Sequence, residues 1–244
     1  MRVLVLGGTG SLHCSGPENS EVTEVEIAGP SGHMLIRECL RADHTVVIYA
    51  RSPEKLSEDV SNHRNVVIIK GSFDLEDEDS LSKSMEGVHA VLSALGPPTT
   101  PTKAPFHPSD TPLAHAYSRI IRVMYAHNVK RLIALGTASM KDANDKFSVL
   151  FFALINGVKT LAYNAYKDVV AIGDTIRGRE GQGLIWTIAR VPVLTNSESK
   201  DVIAGYVGDN RVSTSLSRAG FAAFVVGELE KNEWVKKAPL ISSP

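Results

Sequence analysis

The chain has 244 residues, enough for one sizeable core or at most two small domains, and its 43% hydrophobic content is ordinary for a globular protein. Twenty-six basic and twenty-seven acidic side chains leave a formal net charge of -1, so no global field draws the chain to nucleic acid or anionic lipid. Two cysteines, Cys14 and Cys39, make no disulfide framework, and the first residues lack a signal-peptide pattern, so a cytoplasmic protein is expected.

An aliphatic run at 3–6 leads into a glycine turn, Met1-Arg-Val-Leu-Val-Leu-Gly-Gly-Thr-Gly10. The helix that such a turn feeds is delayed to Gly29-Pro-Ser-Gly-His-Met-Leu-Ile-Arg-Glu-Cys-Leu40. Removing the nineteen residues 11–29 joins Gly7-Gly-Thr-Gly10 to Pro30-Ser31-Gly32, a GxxGxxG turn from a strand into an amphipathic helix. A dinucleotide pyrophosphate needs backbone N–H donors at a helix N-terminus, with glycine wherever a Cβ would block approach. Gly7, Thr9, Gly10, Ser31 and Gly32 are therefore expected to hold the cofactor's phosphates.

The segment between the halves holds four glutamates and neither lysine nor arginine. It reads either as a surface excursion that leaves Gly10 beside Gly32, or as a short unspliced intron of in-frame length. Its composition is unlike the rest of the fold, and it carries carboxylates toward a site built for anions, which favours the second reading. On that reading the chain binds its cofactor poorly although its relatives bind well.

Further strand candidates at 45–49, 66–69, 90–93, 131–135 and 184–189 alternate with helix candidates near 31–42, 53–60, 78–86, 111–127 and 150–177. Strict alternation predicts an α/β fold, a Rossmann-type doubly wound parallel sheet covered on both faces. One NAD(P)-binding domain over 1–244 is expected, with a small extension over 193–244 that adds short strands and a helix near 217–229 on the substrate side. Ligands in such sheets sit beyond the carboxyl ends of the strands. Arg51-Ser52 follows the second strand, where a cation pairs with a 2′-phosphate and favours NADPH.

Six prolines between Gly96 and Pro112 predict a long surface loop at the rim of the site, with His107 and His115 as solvated rim residues. The acidic run from Asp74 to Asp79 reads as helix capping and a solvated face, and no metal site is expected. The apolar stretch 147–158, interrupted by Ser148 and Asn156, is too short to span a bilayer and reads as a buried or lid-forming helix, with membrane contact the lesser alternative.

With the turn, Arg51, Gly71-Ser-Phe-Asp74, Ala94-Leu-Gly96 and Leu184-Ile-Trp-Thr-Ile-Ala-Arg-Val-Pro192 in view, the chain resembles the atypical short-chain dehydrogenase/reductases. The branch it resembles is the NAD(P)H-binding group that includes NmrA-like proteins and the flavin and biliverdin reductase B type. The resemblance covers nearly the whole chain apart from 11–28. It implies Arg51 and Ser52 at the 2′-phosphate, Ser72 and Phe73 near the adenine, and Ala94, Leu95 and Gly96 along the ribose and nicotinamide. Thr137 would present a hydroxyl to nicotinamide and substrate, and Arg190-Val-Pro192 would open the substrate side. Ser72 stands where the family usually carries an acid.

In the wider superfamily a tyrosine donates a proton to a carbonyl while a lysine four residues later stabilises the phenolate and holds the ribose. Tyr163-Asn-Ala-Tyr-Lys167 has that spacing, with Thr137 as the third hydroxyl. Tyr166 is a competing phenol, and a tyrosine packed under a surface lysine is the structural alternative. The resemblance implies an NADPH-dependent reductase acting on a small carbonyl or flavin-like substrate, with no nucleic acid or membrane partner. The alternatives are a non-catalytic NmrA-like redox sensor that reports to a protein partner, and a splice form with impaired cofactor binding.

Overall fold

The computed structural model describes residues 1–7, 11–12, 25–26, 29–97 and 104–244, with backbone alone at 11–12 and 25–26. Strand β1 (Arg2–Leu6) is followed by two short strands, β2 (Ser11–Leu12) and β3 (Val25–Glu26), and by helix α1 (Gly29–Arg41). Strands and helices then alternate through β4 (Thr45–Ala50), α2 (Glu58–Ser61), β5 (Val66–Lys70), α3 (Glu78–Ser84), β6 (Ala90–Ser93), α4 (Pro112–Ala126) and β7 (Arg131–Thr137). Two helices, α5 (Val149–Leu161) and α6 (Tyr163–Arg177), precede β8 (Ile185–Val191), β9 (Val193–Thr195), β10 (Ile203–Gly205), β11 (Ser215–Ser217), α7 (Arg218–Lys231) and β12 (Leu240–Ser242).

The main sheet runs β10-β12-β8-β7-β6-β1-β4-β5, parallel throughout except where β10 pairs with β12. This is the doubly wound Rossmann sheet that the alternation predicts. Its central strands are continuous apolar runs because helices cover both faces. Leu4, Leu6, Val47 and Tyr49 pack with Tyr117 and Ile120 of α4 and with Val169 and Ile172 of α6. Their neighbours Val3, Val5, Val46 and Ile48 point the other way, onto Leu35 and Ile36 of α1 and Phe221 and Val225 of α7.

Two expectations change. The periodic segment 150–177 is two helices, broken at Ala162, whose φ of -143° and ψ of 57° are non-helical. Helix α6 keeps its buried stripe on the core, whereas α5 is attached through Phe151 to Val207 and Leu240. Residues 147–158 are therefore largely exposed, not buried. The C-terminal segment supplies the expected short strands and helix and ties them to the core: α7 packs on α1, and β12 extends the main sheet beside β8.

Strands β2 and β3 pair antiparallel, Ser11 opposite Glu26 and Leu12 opposite Val25. The rest of the excursion, 13–24 and 27–28, and Gly10 lie outside the described residues.

Candidate functional site

Parallel strands deliver their carboxyl ends to one edge. Leu6 pairs in register with Tyr49 and Ser93, and Tyr49 with Ile69, so Gly7, Arg51, Gly71 and Ala94 emerge beside one another. Gly7 has a φ of 92°, a conformation open to glycine and closed to most side chains. Helix α1 begins at Gly29, and its first turn contains no acidic residue. The N–H groups of Gly29, Ser31 and Gly32 have no intrahelical acceptor, and Pro30 has no N–H to satisfy. Ser31 and Gly32 lie on the buried side of the helix. Glycine turn and acid-free helix start suit a pyrophosphate; Thr9 and Gly10, assigned to the same task, lie outside the described residues, as does Cys14.

Arg51 and Ser52 are half-buried directly after β4, and the Ser52 carbonyl accepts the Lys55 N–H at 3.1 Å to start a short turn. The next loop is fixed from below. A Cβ on Gly71 would sit 2.7 Å from two carbons of the Tyr49 ring, so glycine lets the phenol pass under the loop. The Tyr49 hydroxyl donates to the Ser72 carbonyl. Burial raises the Tyr49 phenol, and the charges of Asp77 and Asp74 raise it further, which keeps it a donor. The Ser72 N–H donates to Asp77 at 2.8 Å, and the Ser72 hydroxyl to Asp74 at 2.8 Å. The Arg119 guanidinium donates to the Phe73 carbonyl, and the Phe73 ring is tilted on Tyr49 with centroids 5.5 Å apart. Asp77 therefore braces Ser72 rather than capping α3, where it makes no side-chain cap bond. Among the described residues no cluster of His, Cys, Asp and Glu could hold a metal.

At the fourth strand end the side chains of Ala94 and Leu95 are buried, and the Ala94 N–H donates to the Leu6 carbonyl at 3.0 Å. With Gly96, this segment offers a ligand its backbone. Thr137 closes β7 half-buried, its hydroxyl accepting the Ser139 N–H at 3.2 Å. Gly136 before it leaves little room for a side chain, since a Cβ would sit 2.5 Å from Ile188 Cγ2 and 2.8 Å from Met140 Sδ.

Helix α6 carries Tyr163 and Lys167. Tyr163 is 57% exposed at the first position of the helix, and Lys167 Nζ donates to the Ser109 carbonyl at 3.0 Å. Tyr166 lies under Lys159, whose Nζ is 5.7 Å from its ring centre. The same helix holds the proline-rich loop. Asn164 donates to the His107 carbonyl at 2.9 Å. Asp168, fully buried, accepts the Leu113 and Ala114 N–H groups at 3.0 and 2.9 Å and lies 2.7 Å from His107 Nε2. His107 is thus a buried anchor, not the solvated rim residue expected, because Asp168 partners its Nε2; His115 is exposed. Asp168 went unseen in the sequence, yet a carboxylate within the apolar stripe Ala165, Val169, Ile172 was a readable signal.

Arg190 is structural as well. Its buried guanidinium makes a paired contact with Asp145 at 2.6 and 2.7 Å and donates to the Met140 and Ala238 carbonyls. It ties the segment after β7 to β8. Cys39 is buried, which pushes its thiol to about 12, so it is no nucleophile.

Residues 28–232 match a protein family described as NAD(P)H-binding. No curated protein sequence matches the chain. A wide-type short-chain dehydrogenase/reductase from Veillonella parvula, solved in complex with NADP, superposes with a TM-score of 0.72 at 15% identity, over 100% of this chain and 94% of its own. A Rossmann-fold NAD(P)-binding family protein from Shigella flexneri has a TM-score of 0.63 at 20% identity, over 100% and 93%. A candidate NADH-flavin reductase from Streptococcus pneumoniae has 0.62 at 17%, over the full length of both chains. At these identities the likeness is one of fold.

Proposed function

Because the chain belongs to the NAD(P)H-binding family and has the fold of the short-chain dehydrogenase/reductases, we propose that it is an NADPH-dependent reductase of a small carbonyl or flavin-like compound. The observation that carries this reading is the in-register convergence of Gly7, Arg51, Gly71 and Ala94 beside an acid-free helix start. Bound there, NADPH supplies the hydride. Arg51 pairs with the 2′-phosphate, the α1 N-terminus receives the pyrophosphate, and the braced Ser72-Phe73 loop borders the adenine. Thr137 orients the substrate oxygen, Tyr163 gives it a proton, and Lys167 steadies the resulting phenolate and the ribose. A flavin-like acceptor needs less, since positioning suffices and water can supply the proton.

A redox-sensing reading is favoured by one observation: Lys167 is engaged by the Ser109 carbonyl while Tyr163 stands exposed. A sensor binds dinucleotide without turnover. The two separate in an NADPH-consumption assay with carbonyl and flavin acceptors. The reductase reading expects turnover, with Tyr163→Phe slowing carbonyl reduction on the order of 10²-fold or more while dinucleotide affinity is kept. Absence of binding to either NADPH or NADH sinks both readings.

A further inference from the structure

Helix α5 has a face that the reductase reading does not use. Leu150, Leu154, Val158 and Leu161 recur every three or four residues and so form one stripe, and each is between 41% and 76% exposed. Phe147, Val149 and Phe152 widen the apolar surface at the start of the helix, the two phenylalanine rings 6.0 Å apart. Phe151 is the one buried side chain of α5. A continuous apolar patch on a globular protein marks contact with another apolar phase.

The charges nearby say which phase. From Lys146 to Lys167 the chain holds Lys146, Lys159 and Lys167 and no aspartate or glutamate. An isologous contact between two copies would bring this patch against itself, lysines facing lysines with no carboxylate to answer them, which disfavours self-association here. No described helix is long and apolar enough to cross a membrane. Aliphatic and aromatic side chains on a stretch, 146–167, whose only charged residues are lysines complement the headgroup and acyl boundary of an anionic bilayer.

We propose that α5 docks the protein on the surface of a bilayer containing anionic phospholipid, lying in the interface. Leu150, Leu154, Val158 and Leu161 enter the acyl boundary, and Lys146 and Lys159 extend to the headgroups. The proposal takes up the lesser of the sequence expectations for 147–158 in place of the expectation of no membrane partner, which rested on the near-zero net charge of the whole chain; the cations are local.

Co-sedimentation of the full chain with phosphatidylcholine vesicles, with and without phosphatidylserine, tests it. The expected result is binding that requires phosphatidylserine, falls with added salt, and weakens roughly fivefold for each lysine neutralised in Lys146→Gln and Lys159→Gln. The Leu154→Glu, Leu161→Glu double variant loses binding while its circular dichroism matches the parent, both positions being on the surface; should it misfold, the lysine variants decide. No binding to phosphatidylserine vesicles, equal binding to both vesicle types, or undiminished binding in the folded double variant overturns the proposal. A concentration-dependent dimer that the double variant disperses overturns it in favour of a second copy.

Discussion

A single carboxylate accounts for much of the order beyond β7. Burial alone would raise the Asp145 carboxyl, but hydrogen bonds from Arg190 and from the Asp142 and Val207 N–H groups, with the Arg190 charge, hold it below its ordinary 3.8. A lowered value means that the ionised form is the one the fold prefers. Its contribution is complete at pH values above about 3.8 and is lost as pH falls through the lowered value. Replacing Asp145 by asparagine leaves a buried guanidinium without a counter-charge, which is expected to cost about 3 kcal/mol and to flatten the acid limb of the stability profile. Urea denaturation of the two proteins across acid pH measures both effects. The sequence shows Arg190 as a strand end but not its partner, forty-five positions earlier in a loop without periodicity. Gly71 was legible as a turn glycine, yet its reason, the Tyr49 ring beneath it, belongs to another strand.

At the scale of elements, strand positions were the most legible, because strands buried on both faces must be apolar runs bounded by turns. Helix ends were less so. One periodic stretch gave two helices since only α6 finds a matching surface on the core, and pattern alone cannot say where a partner stops. Asp168 shows what an element gains from its neighbour: from within α6 it accepts two N–H groups at the start of α4 and fixes His107. The N-cap residue of α4 itself, Thr111, makes no side-chain cap bond. Asp168→Ala is expected to destabilise the protein by about 2–4 kcal/mol, combining a lost cap with an unsatisfied buried imidazole. Limited proteolysis should then cut the 104–111 segment faster, without a change in the pattern of cuts elsewhere.

For the whole molecule, alternation foretold the parallel topology of the main sheet, whereas the fate of 11–28 depended on contacts that no local pattern encodes. The β2 and β3 pairing closes the excursion at its base, which is what a tolerated loop requires. It does not remove Glu26 from the approach to α1, nor the other three glutamates from the chain. A form lacking residues 11–29 is therefore expected to bind NADPH on the order of tenfold more tightly, about 1.4 kcal/mol, with the sheet unchanged. Titration calorimetry on both forms checks this, and equal affinity would make the excursion neutral.

Because Phe151 is the one buried side chain of α5, that helix shares little in the cooperativity of the sheet. Releasing one ring, at a cost of about 3–5 kcal/mol, should free thirteen residues at once, so their amides exchange through a local opening rather than by global unfolding. Hydrogen exchange followed by mass spectrometry should find α5 exchanging early as a block and α6 late, with the boundary at Ala162. The molecule then unfolds as two units of unequal size, and the smaller one ends two residues before Tyr163, the tyrosine proposed as the proton donor.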